Sequence, residues 1–351
     1  MRRLTSEVSP KTPLPVGSAS QWGVQLGIFA LSALVSLAAS VFLVSRLERV
    51  GERLGLSEAL LGLLAALAAD GPEITASVTA IAGGHGTVGI GVTLGSNVFN
   101  LAALLGLSAA IAGRVGFHRR SVLLEGGVGL WIAFLGLAVV AGLVRPVGGL
   151  LLALIAFVPY VVYSAEHPAV RARLHLPGRW SDWLARALAE EEAELAVAIR
   201  PRRGDRRDAG MAVAALIVVV AASVAMEQTA TGLGSQAGLS AIVIGGLVLA
   251  GVTSLPNAVA AVYLASRGRG AATLSEAFNS NAFNVIVGLM VPGVILGLAR
   301  PTGGGMIVAL AYVLLTTGSV ALAWRGRGLS RRAGALIIVG YLVFAAVLAT
   351  R

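Results

Sequence analysis

The chain has 351 residues, 56% hydrophobic and 13% charged, where soluble globular domains carry roughly 45–50% and 25%. That balance excludes a soluble globular protein, and the absence of Cys excludes disulfides, thiolate metal sites, iron–sulfur clusters and Cys nucleophiles. The net charge of +10 comes almost wholly from Arg placed in short segments between apolar stretches, so it reports membrane orientation and no nucleic-acid partner.

Apolar stretches of about 20 residues, enough to cross a hydrocarbon layer about 30 Å thick, recur from residue 22 to the C-terminus. Ten spans are predicted, near residues 22–46, 57–83, 88–113, 121–142, 147–165, 210–230, 238–266, 271–298, 303–324 and 332–350. The chain is thus read as an all-α polytopic membrane protein in contact with the lipid bilayer. Arg2 and Arg3 precede an apolar span that is too long for a signal-peptide core, so span 1 is read as an uncleaved helix. The segments after spans 1, 3, 5, 7 and 9 hold 21 of the 27 basic residues. By the positive-inside rule these face the cytoplasm, which puts both termini, and the 1–21 tail, outside. The expected location is the plasma (inner) membrane of a prokaryote.

Residues 166–209 divide the spans five and five and are read as a cytoplasmic linker. Within it, Ser181 is placed to cap a short helix carrying Trp183, Leu184, Leu188 and Leu195 at the interface. Glu190, Glu191, Glu192 and Glu194 read as its solvated face.

An internal repeat crosses this linker. Pro72, Ser96, Asn97, Phe99 and Asn100 recur as Pro256, Ser280, Asn281, Phe283 and Asn284, each pair 184 residues apart. Five spans is an odd number, so the second half (210–351) enters the membrane from the side opposite to the first (22–165). This is the inverted-topology repeat of many secondary transporters. Packing alone explains repeated Gly and Ala, but not Ser and Asn repeated at one depth.

Three acids fall well inside the spans: Asp70, Glu73 and Glu276. A charge at mid-bilayer costs at least roughly 2.5–3.5 kcal/mol, and no Lys, Arg or His lies at comparable depth. A bound cation or proton is the expected partner; the alternative is a protonated carboxyl held by helix hydrogen bonds. Asp70 and Glu73 share a helical face, with Pro72 between them. Pro72 and Pro256 disrupt the bonds to the carbonyls of Ala68 and Val252, predicting broken helices in spans 2 and 7 whose freed carbonyls can bind a hard cation. With Ser96 and Asn100, and Ser280 and Asn284, at i and i+4, the donors form an all-oxygen set suited to Ca²⁺ or Na⁺ and poor for Zn²⁺ or copper.

The segments AADGPEITAS with GSNVFN (within 68–100) and VTSLPNAVAA with NSNAFN (within 252–284) resemble the two alpha repeats of the cation/Ca²⁺ exchanger superfamily, which includes Na⁺/Ca²⁺ and H⁺/Ca²⁺ antiporters. The corresponding alpha regions are 57–113 and 238–298. The resemblance implies a 5+5 inverted-repeat fold, a central cation site, and alternating access by sliding of spans 1 and 6. It implies ligand roles for Glu73, for Thr253 and Ser254, and for Ser96, Asn100, Ser280 and Asn284. Three positions depart from the family pattern. Asn257 stands where the second-repeat acid would be, Asp70 stands at a Ser position with Ala69 in place of Thr, and Glu276 takes a position that is often Asn.

The resulting reading is a secondary cation antiporter that exports Ca²⁺ against Na⁺ or H⁺, with inorganic cations as cargo and neither cofactor nor nucleotide, since no P-loop is present. A monovalent Na⁺/H⁺ exchanger on the same scaffold is the alternative. A cation permease is a further one. An intramembrane hydrolase is disfavoured, because only one membrane aspartate is present and His85, His118, His167 and His175 fall in loops or at span ends.

Overall fold

A computed structural model describes residues 19–54, 56, 58–165, 183, 186–187, 204–266 and 270–351. The N-terminal tail and nearly all of the predicted linker, including Ser181, Leu184, Leu188, Leu195 and the four glutamates, lie outside the described residues. Each of the ten apolar segments is helical. Among the described residues, seven helices are long and apolar enough to span a membrane, and a bent pair, 241–253 with 255–262, makes an eighth. Pro146–Val162 is a shorter apolar helix.

Span 2 is two 12-residue helices, Glu58–Ala69 and Gly71–Ala82, separated at Asp70. At 1.5 Å per residue each piece covers about 18 Å, so neither crosses the bilayer alone. Span 7 is likewise interrupted at Ser254, where the chain bends by 43°. Both breaks fall two residues before a proline, whose missing amide and ring cannot continue the preceding turn. Gly84, with φ +81°, turns the chain between Gly71–Ala82 and the next helix, Gly86–Asn100.

The first helix, Ala19–Leu54, outruns its predicted span. Hydropathy marks where lipid ends, whereas Arg46, Leu47, Glu48 and Arg49 are all good helix formers and carry the helix onward. This extension lets Arg46 and Arg49 meet Asp208 Oδ1, at 2.8 and 3.6 Å. Asp208 lies in the first turn of helix Arg206–Gln236, which Asp205 and Asp208 cap reciprocally. Helices Ala19–Leu54 and Arg206–Gln236 run side by side and are pinned at three levels. Arg46–Asp208 holds one end, the Ser36 and Ser223 hydroxyls meet at 2.9 Å in the middle, and Gln25 meets Gln236 at 3.2 Å at the other end. Many of their apolar side chains, such as Leu31, Leu34 and Ile217, face outward, as lipid contact requires.

The interior is built from Gly86–Asn100, Gly270–Phe283 and their continuations. Each continues through a π-helical stretch, Leu101–Leu107 and Asn284–Met290. Gly86–Asn100 approaches a third π stretch, Ile244–Leu249, backbone to backbone: a Cβ on Gly95 would lie 2.5 Å from the Gly246 carbonyl oxygen. At the Arg-rich end, a short antiparallel ribbon pairs β1 (Arg114–Gly116) with β2 (Gly328–Ser330). The sequence gives no alternation to predict it, but it ties the segments after spans 3 and 9 together on one side. The contacts of Gly86 with Ala299 and Gly142 with Pro301 gather the segments after spans 2, 4 and 8 on the other.

Candidate cation-binding site

The two helix breaks face each other across the interior, flanked by Gly86–Asn100 and Gly270–Phe283. Asp70 is fully buried at the first break, and Glu73 is 1% exposed one turn later. Asn257 occupies the facing position on the second broken helix. Its Nδ2 donates to Asp70 Oδ1 at 2.7 Å and reaches Glu73 Oε1 at 3.4 Å and Ser280 Oγ at 3.2 Å. Ser280 Oγ donates to Asp70 Oδ1 at 2.5 Å and accepts from Asn100 Nδ2 at 3.2 Å. Asn284 donates to Glu73 Oε2 and, at 3.1 Å, to Asn97 Oδ1. Six predicted residues from both repeats, Asp70, Glu73, Asn100, Asn257, Ser280 and Asn284, therefore form one buried hydrogen-bonded cluster.

The other four are less closely joined. Ser254 is buried beside Glu73. Ser96 is fully buried one turn before Asn100, with no hydrogen bond to the cluster. Glu276 is partly buried one turn before Ser280, and its Oε2 is enclosed without a donor. Thr253 turns away from the carboxylates: its hydroxyl donates back to the carbonyls of Leu249 and Ala250, at 2.9 and 3.4 Å. The freed carbonyl of Ala68 is also not directed to the cluster, because it accepts from Ser40 Oγ at 3.1 Å. A buried carbonyl takes whatever donor packs against it, and helix Ala19–Leu54 supplies one.

Two features escaped assignment from the sequence. Asn97 and Asn281 exchange bonds reciprocally, each Nδ2 donating to the other's backbone carbonyl at 3.0 and 3.2 Å. They were visible as repeat partners, but only the structure shows that they meet across the two repeats. Ser77, one turn beyond Glu73, has its hydroxyl 2.7 Å from Thr93 Oγ1 and 2.9 Å from the Gly288 carbonyl, fastening the Glu73 helix to the π stretch.

The electrostatics of the cluster are one-sided. Ion pairs join Arg46 and Arg49 to Asp208, and His85 to Glu227; among the described residues none involves Asp70 or Glu73. Asp70 Oδ2 and the Oδ1 atoms of Asn100, Asn257 and Asn284 are buried without a donor. Rotating an Asn amide by half a turn exchanges its N–H donors for its oxygen, so these amides can offer either hydrogen bonds or ligand oxygens to the interior. Among the described residues no cluster of three His, Cys, Asp or Glu is present; the donors are carboxylate, amide and hydroxyl oxygens, which suit hard cations.

The family model described as sodium/calcium exchanger protein matches residues 24–166 and 208–350, one match per repeat. The chain belongs to the sodium/calcium exchanger family. The chain is 27% identical over 298 residues to the putative antiporter CaxA of Alkalimonas amylolytica, covering 82% of this chain and 88% of that protein. It is 36% identical over 91 residues to the human sodium/potassium/calcium exchanger 4, covering 26% of this chain and only 15% of the human protein's length. Its fold matches those of YfkE (TM-score 0.63, 17% identity, 92% of each chain), the H⁺/Ca²⁺ exchanger CAX (0.62, 15%, 93% of this chain and 86% of that one) and the sodium-calcium exchanger NCX_Mj (0.60, 18%, 94% and 100%). The chain is thus a membrane protein of a transporter family, and it spans only a small part of the length of the human relative it matches.

Proposed function

We propose that the exchanger exports Ca²⁺ in return for Na⁺ or H⁺, carrying each ion in turn at the Asp70–Glu73 cluster as the site opens alternately to the two sides of a ten-span, inverted-repeat bundle. The carrying observation is a pair of buried carboxylates, with no basic partner among the described residues, enclosed by Asn and Ser side chains from both repeats. One divalent ion neutralises both carboxylates; two monovalent cations or protons do so in its place. Competition for the same oxygens then enforces exchange. Pairing of helices Ala19–Leu54 and Arg206–Gln236 supports their movement as one body against the rest, and the distribution of Arg supports cytoplasmic placement of the β-ribbon end. The names of CaxA and of the human relative, an antiporter and a calcium exchanger, agree with this assignment.

Purified protein in vesicles loaded with Na⁺, or held across a pH gradient, is assayed for ⁴⁵Ca²⁺ uptake. Uptake should require one gradient and should be lost in E73Q while the variant still elutes as folded protein. Normal uptake by E73Q would remove the cluster from the mechanism. A second reading, monovalent Na⁺/H⁺ exchange, is favoured by Asn257 at the position of the family's second acid; it predicts Na⁺-driven pH change without Ca²⁺ flux.

A further inference from the structure

The family pattern sets one carboxylate after the proline of each repeat, and here the second repeat has Asn257 in that place. The structure puts a different acid against it. Asp70 and Asn257, 187 residues apart and from opposite repeats, share a 2.7 Å hydrogen bond, and both bond to Ser280 Oγ. They are 0% and 1% exposed, and each keeps one oxygen buried without a donor, Asp70 Oδ2 and Asn257 Oδ1. Asn257 also reaches Glu73, so a carboxylate at 257 would face Glu73 from the same pocket that Asp70 shares.

We propose that Asp70 supplies, from the first repeat, the carboxylate that the second repeat lacks at Asn257, so that the negative charge has moved across the repeat interface by the length of one hydrogen bond. The site thereby keeps two carboxylates, enough for one divalent ion, although both now ride on the first broken helix. Asp70 is on this account the specificity-determining residue: without it Glu73 alone remains in the hydrogen-bonded cluster, and a single negative charge suits a monovalent ion. The proposal rests on reading the cluster as the transport site.

Asp and Asn are close to isosteric, so the test is a reciprocal swap. D70N, N257D and D70N/N257D are compared with wild type and E73Q, by ⁴⁵Ca²⁺ uptake in vesicles and by Ca²⁺ binding to the full-length protein in detergent. D70N should lower Ca²⁺ uptake and affinity by about tenfold or more, as loss of one of two buried charges facing a divalent ion demands. D70N/N257D should recover to within about threefold of wild type, a non-additivity that marks a shared interaction. A second pair, D70S and D70S/N257E, which restores the family's residue types, carries the same test should either member of the first pair fail to elute as folded protein. Normal Ca²⁺ transport by D70N, or folded double variants no better than their single Asp70 parents, would overturn the proposal. E73Q separates the two failures. If E73Q is inactive and the swaps do not rescue, only the relocation of charge is wrong; if E73Q transports normally, the transport-site reading falls and takes this one with it.

Discussion

Asn97 and Asn281 show how much of the site depends on single side chains that bear no charge. Each donates to the other's carbonyl, and Asn97 also accepts from Asn284, which in turn holds Glu73. Removing either amide strands a buried carbonyl, at about 1–3 kcal/mol. N97A and N281A should therefore each lower the melting temperature in detergent. The double variant should lose less than the sum, because the two share one exchange of bonds; strictly additive losses would show that they act independently. Ion affinity should fall in both N97A and N281A, since Asn97 Oδ1 accepts from Asn284 and Asn281 Oδ1 accepts from Asn100, at 3.1 and 3.2 Å, and both donors belong to the cluster. At this scale the sequence already exposed the charged residues and the repeated amides, because carboxylates and Asn stand out in apolar spans. It could not show that Thr253 turns back to its own helix, since a hydroxyl within reach of the i−4 carbonyl has a local partner that competes with any distant one.

The elements that carry these side chains are held by close backbone approach. Gly91 and Gly95 pack against the π stretch Ile244–Leu249, where added Cβ atoms would lie 2.8 Å from the Gly246 nitrogen and 2.5 Å from the Gly246 oxygen. Backbone cannot yield as a side chain can, so G95A should destabilise the protein by about 1–3 kcal/mol and lower the proposed transport by displacing Ser96 and Asn100. Gly127 lies in an exposed helical position with no atom within 4 Å of an added Cβ. G127A should be neutral or stabilising by up to about 1 kcal/mol. Thermal melts of the two variants make the comparison, and equal effects would refute the close-packing argument. The helix interruptions at Asp70 and Ser254 were legible from Pro72 and Pro256. The π stretches were not, because an i→i+5 turn is set by neighbouring helices and leaves no signature in residue type.

Across the whole molecule, the proposed transport motion turns on the relation of the paired helices to the core. Helices Ala19–Leu54 and Arg206–Gln236 are pinned to each other at both ends and the middle, whereas Ser40 reaches across to the carbonyls of Ala68 and Ala69 at the first break, at 3.1 and 3.4 Å. The chain has no Cys, so thiol pairs can be introduced on a clean background. Bridging S36C/S223C with a short thiol reagent should leave Ca²⁺ uptake close to wild type, because it joins parts that move together. Bridging S40C/A69C should stop uptake and release it on reduction, because it joins parts that slide past each other in the proposed motion. Full activity in the bridged S40C/A69C protein would rule out that motion.

The sequence by itself determined the membrane class, the helical segments, the two-fold repeat and Asp70 and Glu73 as acids of the interior, since each follows from composition, hydropathy and spacing along the chain; Glu125 and Glu227, buried near the ends of their helices, it did not single out. Only the tertiary structure decided that Asp70 faces Asn257, that Asn97 meets Asn281, and that the Ala68 carbonyl is taken by Ser40. Those pairings join residues 28 to 187 positions apart, and which polar atoms satisfy one another in a water-free interior is settled by the packing of whole helices, on which local spacing is silent.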